Sequence, residues 1–137
     1  MLRAKDIMTT DVISVKKEAP IFEAIKLMTK YNISCLPVVE DDMSLVGILS
    51  EKDFVVLSYI NGNGTNKIVN DYMIQPAIHF EENKNLVDIC DFLANNIFTR
   101  IPVTSAGKLV GVISIQDILK YILRSKYKMP LTVNKNK

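Results

Sequence analysis

Two copies of one spacing carry most of the chemistry this chain can offer: Gly47-x-x-Ser50-x-x-Asp53 and Gly111-x-x-Ser114-x-x-Asp117. A serine followed three residues later by an acid is a capping-box pattern, in which the pair satisfies orphan amides at a helix start. The same geometry can serve a ligand. A helix N-terminus presents free N–H groups and the positive end of a dipole, and a carboxylate in its first turn accepts both hydroxyls of a ribose. A capping box prefers Glu or Gln at its last position, whereas Asp is shorter and suits a vicinal diol; on these residues alone both readings stand. No catalytic constellation accompanies them. His79, the one histidine, has no partnering Cys or carboxylate at a recognised spacing, and no CxxC, HExxH, P-loop or GxGxxG occurs. One His and two unpaired cysteines make no metal site. The expectation is a binding protein, neither an enzyme nor a metalloprotein.

The elements that hold these residues are themselves duplicated. Asp6-Ile7-Met8 recurs as Asp71-Tyr72-Met73, and Cys35-Leu36-Pro37-Val38 as Arg100-Ile101-Pro102-Val103, each shifted by 65 positions. The block Leu45 to Asp53 recurs as Leu109 to Asp117 with a shift of 64, so one residue is lost between the second and third blocks, where a turn should lie. Val12 to Val15 and Ala77 to Phe80 read as short first strands. Pro20 to Tyr31, with Pro20 in the first turn, and the stretch opened by Asn85 as N-cap read as helices. Leu36–Val39 with Leu45–Leu49 forms a hairpin, and its counterpart turns through residues 104–108. Helices follow over 50–60 and 114–126. The order β-α-β-β-α, twice, predicts an α/β fold of the α+β type, its sheets facing inward under helices. The domain reading is repeat one over 1–60, a linker over 61–67 rich in Asn and Gly, repeat two over 68–126, and a basic tail over 127–137.

Composition narrows the function classes. At 48% hydrophobic and 23% charged the 137 residues can bury a core. Residues 124–137 hold five basic residues and no acid, so within a net charge of +2 the rest of the chain carries −3. A mildly acidic body argues against an extended nucleic-acid surface. No apolar run approaches the roughly 18 residues of a membrane span and no secretory signal is evident. Cys35 and Cys90 occupy non-equivalent repeat positions, so no disulfide framework is implied. The expected location is the cytoplasm.

Two β-α-β-β-α units, each with Asp-h-Met (h, an apolar residue) before its first strand, h-Pro-Val on its second and Gly-h-h-Ser-x-x-Asp after its third, resemble a tandem pair of cystathionine β-synthase (CBS) domains. The resemblance covers residues 4 to about 124, and it implies a pseudo-two-fold module with two clefts that bind adenosyl compounds: AMP, ADP, ATP or S-adenosylmethionine. It also implies a homodimer, and a stand-alone regulatory or energy-sensing role whose output passes to an effector protein. The alternative it leaves is a ligand-free interaction and dimerisation module. By position, the first cleft would combine Ile48, Ser50 and Asp53 with Ala77, Ile78, Phe98, Thr99, Arg100, Pro102 and Gln116. Adenine would lie against Ile48, Ile78 and Pro102, Asp53 would hold the ribose, and Arg100 the phosphate. The second, weaker cleft would combine Val112, Ser114 and Asp117 with Val12, Ile13, Ile33, Ser34, Cys35 and Pro37. There Cys35, read as a small buried apolar residue, stands in the place of Arg100, and Lys52 is the nearby cation. No catalytic cofactor is implied. Residues 54–60 and 118–121 are the first candidates for a dimer contact.

Overall fold

The structure, a computed structural model, describes residues 1–55 and 67–129. The expected linker core, the later part of the helix expected over 50–60, and the end of the tail lie outside the described residues. The elements run α1 (Ala4–Ile7), β1 (Val15–Lys16), α2 (Ile21–Tyr31), β2 (Cys35–Val39), β3 (Leu45–Ser50), the start of α3 over residues 51–55, a 3₁₀ turn (Val69–Asp71), β4 (Phe80–Glu81), α4 (Leu86–Asn95), β5 (Arg100–Ser105), β6 (Lys108–Ser114) and α5 (Ile115–Lys126). They build two three-stranded sheets, ordered β1-β2-β3 and β4-β5-β6, each with a parallel first pair and an antiparallel hairpin. The mixed α/β fold with two copies of one unit is the one the repeat implied. Among the described residues no helix is long and apolar enough to cross a membrane.

Apolar periodicity explains the helices and the two cores. Ile21, Ala24 and Met28 of α2 pack with Leu36, Val38, Leu49 and Phe54 in the first half, and Ile89 and Leu93 of α4 pack with Phe80, Ile101, Val103 and Ile113 in the second. α2 starts one residue after Pro20, which holds the N-cap position, and ends on Asn32 in the left-handed region at φ 52°. Asn85 caps α4 as expected, its side chain accepting the Asp88 amide at 2.8 Å. The lost residue also falls in a turn. The second hairpin closes tightly through Ala106 (φ 51°) and Gly107 (φ 81°), a positive-φ pair that suits a two-residue hairpin turn.

The first strands are shorter and later than the pattern predicts: Val15–Lys16 instead of Val12–Val15, and Phe80–Glu81 instead of Ala77–Phe80. The prolines of the adjacent strands are the reason. Ile48, opposite Pro37, exchanges both of its backbone hydrogen bonds with Ile74, on the side away from β2. Pro37 therefore turns its nitrogen toward β1, where it has no hydrogen to donate, and the parallel ladder opens only at Val15. Pro102, opposite Val112, does the same beside β4, because Val112 exchanges both bonds with Thr9.

Those two outward bridges show that the halves exchange their leading segments. Residues 1–9 lie against the second half: Ala4 sits in its core, the Ala4 amide donates to Lys84 O at 2.8 Å, and Thr9 pairs with Val112 on β6. Residues 67–74 return the arrangement. Val69 is buried in the first core, its amide donates to Ala19 O at 2.9 Å, and Ile74 pairs with Ile48 on β3. The packing units in space thus differ from the sequence repeats by these segments. The Asp-h-Met motif locks them in place. Asp6 and Asp71 accept the amides of Arg3 and Ile68, closing a short turn. Met8 and Met73 then cover the glycines of the opposite β6 and β3.

A Cβ on Gly111 would lie 2.5 Å from Met8 Sδ and 3.0 Å from Thr9 O; one on Gly47 would lie 2.8 Å from Met73 Sδ and 3.0 Å from Ile74 O. The sulfurs can move, but the carbonyl oxygens belong to the bridging backbone and cannot. Gly47→Ala and Gly111→Ala should each destabilise the fold by about 1–3 kcal/mol through overpacking, read as a lower urea midpoint at unchanged slope. A midpoint equal to wild type would mean that the segments do not lie against these glycines.

Candidate functional site

Two cavities open between the halves, and they adjoin. The first, 250 Å³, is lined from the first repeat by Ser34, Cys35, Ile48, Ser50, Glu51 and Lys52, and beyond it by Ile74, Ile97, Phe98, Thr99 and Arg100. The second, 390 Å³, is lined by Asn32, Ile33, Ser34 and Glu51 together with Thr99, Arg100, Ser114, Ile115 and Gln116. Applying the repeat shift to one set yields most of the other: Ser50, Glu51 and Lys52 correspond to Ser114, Ile115 and Gln116, and Ile97, Phe98 and Thr99 to Asn32, Ile33 and Ser34. The cavities are the pseudo-symmetric pair of clefts. Between them Val12, Ile13, Ile33, Cys35, Pro37, Pro102 and Val112 close, with Arg100, into a seam with only about 10 Å³ of free space.

The expected residues distribute as follows. Ile48, Ser50, Phe98, Thr99 and Arg100 come together at the first cleft, and Ile33, Ser34 and Ser114 at the second. Lys52 and Gln116 are exchanged relative to expectation, Lys52 lining the first cleft and Gln116 the second. The cause is local: each follows its own capping serine by two residues and stays on that serine's side of the module. Val12, Ile13, Pro37, Pro102 and Val112 lie in the closed seam; Cys35 lines the seam and the first cleft. Ala77 and Ile78 line neither cavity, Ile78 being exposed in the segment that Pro102 keeps out of the ladder. His79 faces a separate open groove along α4, with Nδ1 3.0 Å from Ala77 O. Ile74 was not expected. Its position one residue after the methionine of the repeated motif is the signal that could have found it.

Arg100 is the hinge of the charge distribution. It starts β5 at the point where the clefts meet and lines both, so the contrast between Arg100 and Cys35 does not divide them as the sequence implied. Half-buried, it makes no ion pair among the described residues. Lys52 adds a second cation to the first cleft only. Cys35 lies close to Arg100 and Asp53. Burial pushes its thiol up to about 11, against the pull of the guanidinium, so it is a neutral, unreactive thiol at physiological pH.

The serine–aspartate pairs are unlike. At the second cleft a complete capping box forms: Ser114 Oγ accepts the Asp117 amide at 3.1 Å, and Asp117 Oδ2 accepts the Ser114 amide at 2.9 Å. At the first, among the described residues, Ser50 Oγ accepts only the Lys52 amide, at 3.3 Å. Neither aspartate lines its cavity; the Oδ2 of Asp53 is buried and has no hydrogen-bond partner among the described residues. The capping reading thus describes repeat two, and in repeat one the carboxylate is left with acceptor capacity.

The family model described as CBS domain matches residues 4–58 and 69–124. Among curated proteins, the CBS domain-containing protein YhcV of Bacillus subtilis is 30% identical over 118 residues, which span 86% of this chain and 84% of that protein. An uncharacterized protein of Methanocaldococcus jannaschii is 31% identical over 118 residues, of which this chain spans only 42%. Among solved structures, that of CBSX2 in complex with AMP superposes with a TM-score of 0.82 at 27% identity, covering 92% of this chain and 99% of the other; CBSX2 comes from Arabidopsis thaliana. With both repeats matched and the fold shared end to end, the chain belongs to the CBS domain family.

Proposed function

We propose that this protein is a regulatory module that binds an adenine nucleotide between its repeats and passes its occupancy to a partner. The observation that carries the proposal is Arg100, a half-buried guanidinium free of ion pairs among the described residues, standing where two cavities meet. A guanidinium in that setting presents a preformed fork to a phosphate. Around it the first cleft offers apolar walls at Ile48 and Phe98 for the base and Lys52 for further phosphate charge, and Asp53, outside the cavity lining, carries an acceptor unpaired among the described residues. AMP is the ligand in the CBSX2 complex, which supports the same class here. Signalling follows if the ligand binds one arrangement of the halves better than another. With both cysteines free thiols, we read the setting as reducing and cytoplasmic.

A second copy of the chain is the partner we infer for the helices. Val55 on α3 and Leu119 on α5 are equivalent repeat positions and stand 70% and 51% exposed. Beside Val55 an apolar groove of 450 Å³ runs along Ile25, Met28 and Phe54. A module that only dimerised would need these faces and nothing in the clefts. That remains the second reading.

Calorimetric titration of AMP, ADP, ATP and S-adenosylmethionine separates the two. Micromolar binding of at least one nucleotide, about 8 kcal/mol, is expected, weakened tenfold or more in Arg100→Ala through loss of a charge-assisted contact. Absence of heat with every ligand would sink the nucleotide reading and leave the interaction module. In sedimentation experiments wild type should be dimeric, and Val55→Asp with Leu119→Asp should shift it to monomer without lowering the melting temperature. A monomeric wild type would reject the second copy.

A further inference from the structure

Thr9 and Ile74 hold equivalent places in the two repeats. Each follows the methionine that covers a glycine of the opposite half, and each exchanges two backbone hydrogen bonds with the third strand there. Their side chains differ in the one respect that matters to the neighbouring carboxylate. Thr9 Oγ1 donates to Asp117 Oδ1 at 3.0 Å, while Asp117 Oδ2 accepts the amide and the hydroxyl of Ser114 at 2.9 and 3.0 Å. Both oxygens of Asp117 are therefore engaged inside the protein. Ile74 has no hydroxyl to give. It lines the first cleft, half-exposed, and Asp53 Oδ2 stays buried without a donor among the described residues.

A ribose offers a carboxylate two O–H donors, the service that Thr9 and Ser114 already perform for Asp117. Satisfying a buried acceptor that lacks a partner gains more than replacing one good hydrogen bond by another. A ribose that reaches Asp53, which stands outside the lining of the first cleft, meets a buried acceptor with no donor to displace among the described residues, whereas one that reaches Asp117, likewise outside the lining of the second, must first displace an internal hydroxyl. Arg100 lines both cavities and cannot make this distinction. Resting on the nucleotide reading above, we propose that the chain takes one adenine nucleotide, in the first cleft, and that the Thr9 hydroxyl silences the second by standing in for a ribose hydroxyl on Asp117. The pair Thr9 and Ile74 sets which cleft is used, from a segment that lies outside the expected set of site residues.

The test is AMP titration of the full chain with stoichiometry as the readout. Wild type should bind one AMP per chain. Thr9→Val keeps the shape and the backbone bridge but removes the hydroxyl, and should bind two; Thr9→Ser keeps the hydroxyl and should bind one. Ile74→Thr places a hydroxyl beside Asp53 and should weaken the wild-type site tenfold or more. Melting curves confirm that each variant is folded before titration. Two equal sites in wild type, or one site in Thr9→Val with unchanged affinity in Ile74→Thr, would overturn this inference while leaving nucleotide binding intact. No AMP binding in wild type or any variant would remove the inference together with the reading it rests on.

Discussion

Everything in this molecule depends on two close approaches of backbone to backbone, Thr9 to Val112 and Ile74 to Ile48. Each three-stranded sheet ends in an edge whose hydrogen-bonding groups need a partner, and each finds it in the segment leading into the other repeat. Only a residue without a side chain lets the methionine and the carbonyl come that near, which is why Gly47 and Gly111 recur in the repeat. The bridges fix much else. They commit the opposite prolines to face the first strands, which trims those strands to two residues, and they deliver Thr9 and Ile74 to the start of the helices that follow β6 and β3.

The clefts inherit a symmetric frame and unequal chemistry. Frame residues are the apolar and backbone ones: the proline seam, the glycines, the buried valines of β2 and β5. The inequality lies in a few side chains carried on that frame. Lys52 corresponds to Gln116, Glu51 to Ile115, and Thr9 to Ile74. Since duplication supplies two equivalent backbones, a single hydroxyl suffices to make one cleft self-satisfied and the other receptive. Arg100, the counterpart of Cys35, lines both cavities and presents one positive charge to whichever is occupied.

Much of this was legible in the residues. The duplicated blocks specify the order of elements, because apolar periodicity and turn chemistry repeat with them. They place the lost residue in the second hairpin turn, and Asn85 at its cap. The first strands were misplaced because alternation of side chains says nothing about a missing N–H on the neighbouring strand; that required knowing that Ile48 and Val112 point their backbones outward. The assignments of Lys52 and Gln116 failed for a related reason. Motif spacing identifies a helix start but not which side of a pseudo-two-fold axis its third residue faces. Ile74 went unnoticed because an isoleucine beside a motif has no chemistry of its own, and its meaning comes only from comparison with Thr9.

The exchange of leading segments also has a history in time. A ribosome releases residues 1–9 long before β6, the strand they pair with; the contact from Thr9 to Asp117 spans 108 residues. The first half is complete only once residues 67–74 have emerged to cover β3, and the second only when residues 1–9 are recruited back to β6. The first half can close before the second, but not from its own repeat alone. Contacts this distant in sequence slow folding and leave sheet edges uncovered meanwhile. The nascent chain is thus vulnerable to mispairing until β6 has emerged, and a single repeat released alone would carry an open edge with no segment of its own to close it.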